Sequence, residues 1–190
     1  MPQMTYREAV AQALRETLSE DSSSFLIGED IAAYGGPYAV TKGFLEEFGS
    51  KRAIDAPISE SGFVGLGTGA AMVGLRPIVE IMTINFALLA MDQIVNQTAK
   101  IRYMSGGQYT SPLIVRTVTG GGAQLAATHS QSLEGWFASV PGLKVVVPST
   151  PYDVLGLFRA VREQDDPVIF VEHILLYSSR GDVPEERYTI

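Results

Sequence analysis

Short, continuous apolar runs recur along this chain, each separated from the next by a helical pattern or a glycine-rich loop. They are SSFLIGED (23–30), RAIDAPIS (52–59), LRPIVEIM (75–82), PLIVRTV (112–118), LKVVVP (143–148) and PVIFVEH (167–173). A strand with one wet face alternates apolar and polar residues, whereas a run that is apolar throughout must be covered on both faces. The alternation with helices therefore predicts a three-layer α/β fold, a mostly parallel sheet flanked by helices on both faces. Tyr6, Val10, Ala13, Leu14, Thr17 and Leu18 mark a first amphipathic helix over 5–20. Further helices are expected over 41–49, closed by Gly49, then over 61–74, 133–140 and 150–164, the last with Pro151 near its start. The longest is expected over 85–104, with Asn85 as its N-cap. After His173 the pattern stops, so residues 1–176 read as one α/β domain and 177–190 as a linker toward a further domain.

With 46% apolar and 18% charged residues, the composition is that of a well-buried globular domain. A net charge of −7 argues against a nucleic-acid or anionic-membrane surface. The absence of cysteine removes disulfides, thiolate metal sites and a cysteine nucleophile. Residues 1–21 show no signal-peptide pattern, which points to the cytoplasm or an organelle interior. The low-charge run 61–75 falls short of the roughly 20 residues that span a bilayer.

That run is the most unusual stretch: ISESGFVGLGTGAAMVGLRP (58–77) carries Gly62, Gly65, Gly67, Gly69 and Gly74. Gly65-Leu-Gly67-Thr-Gly69-Ala70 matches a loose dinucleotide-binding fingerprint, but the glycines lie inside the helical stretch and no acid stands about 20 residues on. Each glycine inside a helix costs about 1 kcal/mol, so close packing is the better reading, with Gly65 and Gly69 on one face against a second helix, expected across a subunit interface. Glu60 opens this helix at a strand-to-helix junction. It either complements the helix dipole on a solvated loop or presents a carboxylate at the C-terminal edge of the sheet, where open α/β sheets bind ligands.

His129, in the long glycine-rich loop 119–132, is a candidate acid or base, or simply a polar loop residue ahead of a helix capped by Ser130 or Ser132. His173 ends a strand and reads as structural. Met82 and Phe86 flank a strand-to-helix turn, where an aromatic can stack on a flat ring or merely fill the core.

Taken together, DAPISESGFVGLGTGAAMVGLRPIVEIMTINFALLAMDQIVNQTAKIRYMSGG (55–107) and ATHSQSLEGWFASVPGLKVVVPSTPYDVLGLFRAVREQDDPVIFVEHILLY (127–177) resemble the beta subunits of thiamin-diphosphate-dependent pyruvate dehydrogenase components, in the 2-oxo acid dehydrogenase family. The likeness covers their N-terminal, transketolase-like pyrimidine-binding domain. It implies that Glu60 hydrogen-bonds the aminopyrimidine ring of thiamin diphosphate and favours the tautomer that activates the thiazolium. It implies too that Phe86 stacks on that ring beside Met82, and that His129 faces the substrate channel with a part in proton handling or lipoyl docking. The implied partners are an alpha subunit, which holds the diphosphate and magnesium through a Gly-Asp-Gly motif, and a lipoyl-bearing acyltransferase. No Gly-Asp-Gly occurs here, since Gly181-Asp182 is followed by Val183. Some family members also bind potassium through positions matching Leu113, Val161, Arg162, Gln164 and Asp166, although AVREQDDP (160–167) departs from their usual pattern. Residues 82–107 look more like the pyruvate enzymes than the branched-chain ones; acetoin dehydrogenase is a further neighbour. A non-catalytic assembly domain, self-associating through the glycine-rich helix, and a Rossmann-type nucleotide binder are the readings from other classes.

Overall fold

The computed structural model describes residues 2–190. In chain order its elements are β1 (Gln3–Thr5), α1 (Tyr6–Glu20), β2 (Ser24–Gly28), α2 (Phe44–Phe48), β3 (Ala53–Asp55), α3 (Glu60–Met72) and β4 (Arg76–Ile81). A 3-10 turn (Phe86–Ala90), a π-helical segment (Asp92–Thr98) and α4 (Ile101–Met104) precede β5 (Ile114–Thr119), α5 (Glu134–Ala138) and β6 (Lys144–Val146). The chain closes with α6 (Pro151–Val161), β7 (Val168–His173), a 3-10 turn (Ile174–Leu176) and β8 (Arg180–Asp182).

The six central strands run in the order β3-β2-β4-β5-β7-β6, all parallel. β2, β5 and most of β4 and β7 are buried along their length, as strands covered on both faces must be. On one face lies the core of α1 and α6, with Tyr6, Leu14, Leu18, Val154, Leu155 and Phe158 against Leu26, Ile114 and Phe170. The other face carries α3, the 86–98 segment and α5 through Phe63, Val64, Ile84, Ile94 and Phe137. Capping boxes, Thr5 with Glu8 and Thr150 with Asp153, start α1 and α6 and satisfy backbone N–H groups that the first turn leaves free.

The glycines of α3 have separate reasons. A Cβ on Gly67 would stand 2.6 Å from Val79 Cγ2 and 3.1 Å from Leu113 Cδ1, so this glycine lets the helix lie flat on the sheet. One on Gly65 would stand 3.1 Å from Gln93 Oε1 in the π-helical segment, which is the close packing expected of it. At Gly69 there is open space. Gly62, Leu66, Gly69 and Val73 make an exposed stripe along the outer face of α3. All the glycines of the dinucleotide-like motif lie within the helix, and its N-terminus carries Glu60, which would repel a phosphate.

The centre of the sheet holds a charge cluster. Arg116 on β5, fully buried, pairs with Glu80 on β4 and with Glu172 on β7, and it donates to Tyr177 Oη at 3.2 Å. Tyr177 Oη in turn donates to Glu172. Burial pushes the Glu80 carboxyl and the Tyr177 hydroxyl up, while the two carboxylates hold the Arg116 guanidinium charged.

One expectation fails, and one stretch is more ordered than its pattern suggests. Residues 85–104 are not one long helix but a 3-10 turn, a π-helical segment and a short α-helix, so α1 is the longest. Buried Ala87, Ala90, Ile94 and Thr98 keep the three- and four-residue spacing of an ordinary helical face, so the sequence pattern does not distinguish these turns from α-helix. Asn85 has helical dihedrals and caps nothing, because its amide donates to Thr83 Oγ1 (2.7 Å) and its carbonyl accepts from Gln131 N (3.2 Å). The stretch 177–190 is docked onto the domain: β8 pairs antiparallel with β1, Val183 is buried, and Ile190 packs on Gly156 of α6. Its polar look misled because a short edge strand and isolated anchors leave no periodicity. None of the helices described is long and apolar enough to cross a membrane.

Replacing Gly67 by alanine should lower the unfolding free energy by about 1–3 kcal/mol through overpacking, whereas Gly69→Ala should be neutral or gain up to about 1 kcal/mol. Urea unfolding of both variants checks this, and equal losses would contradict it. Arg116→Met should cost about 3–5 kcal/mol, because it leaves two buried carboxylates without their cation.

Candidate functional site

Because the strands are parallel, the loops after β2, β3, β4 and β5 leave at one edge of the sheet. The register confirms the alignment: Gly28 pairs with Asp55 and with Glu80, Ile81 with Thr117, and Thr119 with His173. Ligands of open α/β sheets bind outside this carboxyl edge.

Glu60 is the first residue of α3 and only 4% exposed, so the solvated-loop reading of this acid is excluded. Its N-cap, Ser59, makes no side-chain capping bond. Glu29 follows Gly28 at the end of β2, is 6% exposed, and its Oε1 has no hydrogen-bond partner among the described residues. Burial, and then the nearby charge of Glu60, push the Glu29 carboxyl up. The two acids therefore share one buried field. Asp55, at the end of β3, accepts from the backbone N–H of Ala32 (2.6 Å) and Ala33 (3.0 Å) and pins the loop that follows Glu29. Gly28 permits this crowding, since a Cβ there would meet the Glu80 carbonyl at 2.7 Å.

Met82 comes directly after β4 and is half-buried, and Phe86 opens the 3-10 turn with its ring also half-buried. His129 is exposed in the 120–132 loop, and its ring meets that of Phe86 edge-on with centroids 5.1 Å apart. Thr128 Oγ1 lies 2.9 Å from His129 Nδ1. The same loop holds Gln124 and Ala126 at φ of 58° and 69°, a left-handed conformation that side-chain-bearing residues adopt at a cost. Asn85 ties this loop to the turn before Phe86. Neither Ser130 nor Ser132 caps α5: Leu133 holds that position, Ser130 Oγ accepts from Leu125 N, and Ser132 Oγ accepts from Thr119. His173 is structural, its Nδ1 accepting from Leu175 N at 3.3 Å.

The structure thus brings Phe86 and His129 together directly, and places Glu60 and Met82 at the same edge of the sheet. Glu29 escaped the sequence reading, although an acid directly after the apolar run 25–28 stands, like Glu60, at the end of a predicted strand. Leu113, Val161, Arg162, Gln164 and Asp166 lie at the opposite, amino edge, where several of their carbonyls already accept hydrogen bonds. The carbonyls of Arg162 and Gln164 accept from Arg76, Leu113 O accepts from Val168 N, Val161 O accepts from Gln164 N, and the Asp166 carboxylate pairs with Arg102 and Lys144. A cavity of about 650 Å³ also opens at that edge, lined by Arg102, Ser111, Lys144 and Asp166 among others. Among the described residues no group of three or more His, Cys, Asp or Glu could hold a metal ion.

A parallel three-layer sheet with a buried acid pair at its carboxyl edge defines an α/β ligand-binding domain. The chain belongs to the family described as "Transketolase, pyrimidine binding domain", whose sequence profile matches residues 2–179, a family of thiamin-diphosphate-dependent enzymes. It is 49% identical to the pyruvate dehydrogenase E1 component subunit beta of Rhizobium meliloti over 97% of this chain and 40% of that protein. It is 50% identical to the subunit of the same name from Rickettsia felis, over 96% of this chain and 56% of that protein. A chloroplastic E1 beta subunit from Oryza sativa subsp. japonica is 48% identical over 96% of this chain and 46% of its own length. The chain spans about half the length of such relatives. Among solved structures, a split-gene transketolase described as an inactive beta4 tetramer superposes with a TM-score of 0.75 at 18% identity, over 98% of this chain and 56% of its own, a likeness of fold.

Glu29→Gln tests the acid pair. A carboxyl raised in the fold binds its proton more tightly there than in the unfolded chain, so stability is lost as pH rises from the unfolded value near 4.3 through the folded one. The variant should gain stability over the parent at pH 7 and lose that advantage at pH 4. Chemical denaturation at both pH values reads it, and a pH-independent difference would count against the pair.

Proposed function

We propose that this chain supplies the pyrimidine half of a thiamin diphosphate site in a pyruvate dehydrogenase beta subunit, acting with an alpha subunit that holds the diphosphate and its magnesium. The observation that carries the reading is the buried Glu60 carboxylate at the start of α3, beside Glu29 with an unpartnered oxygen. An unpaired buried acid costs several kcal/mol of desolvation, and a polar heterocycle offering ring nitrogens and an exocyclic amine would offset that cost. Half-buried Phe86 offers the apolar ring that a flat heterocycle stacks on, and Met82 an adaptable flank.

When bound, thiamin diphosphate supplies the nucleophilic and electron-accepting carbon that decarboxylation of a 2-oxo acid requires. Glu60 holds the cofactor's pyrimidine by a hydrogen bond at its carboxylate and sets the protonation state of the ring nitrogen. Glu29, whose carboxyl is pushed up by burial and then by the charge of Glu60, stands beside it. His129, exposed and braced against Phe86, is placed to handle protons at the substrate side and to meet a lipoyl group carried by an acyltransferase partner. The exposed stripe of Gly62, Leu66, Gly69 and Val73 on α3 is the surface we assign to self-association, small residues allowing close approach of a second copy.

Calorimetric titration of magnesium thiamin diphosphate, into this chain alone and into an equimolar mixture with a pyruvate dehydrogenase alpha subunit, tests the proposal. Saturable binding is expected in the mixture only, weakened about 10- to 100-fold in Glu60→Gln, the loss expected for one hydrogen bond to a charged group. Binding in the mixture that is indifferent to Glu60→Gln would overturn the role of Glu60, and no binding in the mixture would overturn the half-site itself.

A further inference from the structure

At the amino edge of the sheet, away from the acid pair, the end of α6 and the loop after it turn a set of carbonyls inward. Helix C-termini concentrate partial negative charge, and the cap residue Arg162 contributes its carbonyl there. Arg76, the first residue of β4, sends one guanidinium nitrogen between the carbonyls of Arg162 (2.9 Å) and Gln164 (3.0 Å), while its other terminal nitrogen reaches Asp165 Oδ1 at 3.2 Å.

The acids around this loop already have cationic partners. Arg102 Nη1 stands 2.7 Å from Asp166 Oδ1, and Lys144 Nζ stands 3.5 Å from Asp166 Oδ2 and 2.6 Å from Gln164 Oε1. Arg76, Arg102 and Lys144 thus pair with the carboxylates of Asp165 and Asp166, while Arg162 pairs with Glu20 and Glu163. The Asp166 carboxyl is held below its ordinary range, first by its bond to Arg102, so it is committed to that partner. The device recurs along the same edge: Arg52, just before β3, donates to the carbonyls of Leu18 and Asp21 (both 2.7 Å) at the end of α1.

We infer that Arg76 is the resident cation of this carbonyl cradle, its guanidinium standing among the carbonyls that the sequence resemblance offered to a potassium ion, so that the chain folds and keeps its amino edge ordered without one. A planar guanidinium with several fixed donors suits the task, because it bridges separated carbonyls as a spherical ion does, and it stays charged at all working pH values. The inference is independent of the cofactor site.

The test is thermal unfolding of the full chain in potassium, sodium or choline chloride at matched ionic strength. The parent should show the same Tm in all of them up to about 100 mM, a concentration at which potassium would fill a site of ordinary affinity. Arg76→Gln vacates the cradle and should unfold several degrees lower, then recover about 3–5 °C on potassium but not on choline, as an ion at tenfold its dissociation constant would give. A saturable, potassium-specific rise in the parent overturns the assignment. So does a folded Arg76→Gln protein that ignores potassium, since the carbonyls would then form no cation site. Should Arg76→Gln fail to fold, the parent titration decides alone: indifference to potassium upholds the assignment and a specific rise overturns it.

Discussion

The buried ion cluster around Arg116 is the interaction on which the rest of this fold depends. It joins β4, β5 and β7, the middle of the sheet, through side chains instead of backbone, since Glu80 and Glu172 approach the guanidinium from either side. A buried ion pair is poor evidence of net stability, because desolvation takes back most of the Coulomb attraction. What it does enforce is register. A slip of one residue in β5 would send Arg116 to the other face of the sheet and leave two carboxylates buried without a cation. Tyr177 extends the same constraint past β7, for its hydroxyl closes the cluster while its ring stacks near Tyr6 of α1 and Tyr38. The turn after β7, the first helix and the sheet are thereby fixed to one another.

With the centre locked, the two edges of the sheet diverge in charge. At the carboxyl edge Glu29, Asp55 and Glu60 gather where strands end and α3 begins. At the amino edge Arg52, Arg76, Arg102 and Lys144 gather, where they bind carbonyls at helix ends and the acids of the 161–167 loop. A parallel sheet produces this polarity because every strand starts on one side and every covering helix runs back the other way, with its negative end at the strand starts. Cations stabilise the amino edge by completing helix C-termini. At the carboxyl edge Asp55 is satisfied by the backbone N–H groups of Ala32 and Ala33 and Glu60 faces the start of a helix, whereas Glu29 keeps a buried oxygen without a partner among the described residues.

Much of this was legible in the residues alone. Largely apolar runs such as LRPIVEIM and PVIFVEH require cover on both faces, which determined the layered parallel sheet, while the helical spacing from Tyr6 to Leu18 placed α1 and Pro151 placed the start of α6. Glu60 also stood out, as the single acid before a glycine-studded helix. Periodicity is a local property, and these features are decided by neighbours in the chain. Only the tertiary structure could decide the rest. Glu29 becomes part of the site because β2 and the start of α3 meet in space. The segment 86–98 departs from α-helix although its buried positions keep helical spacing, and Asn85 abandons a capping role because Gln131, far along the chain, claims its carbonyl. Arg76 completes the end of α6 across 86 residues of sequence. Such pairings depend on long-range contacts between polar groups, which leave no periodic trace in the chain that makes them.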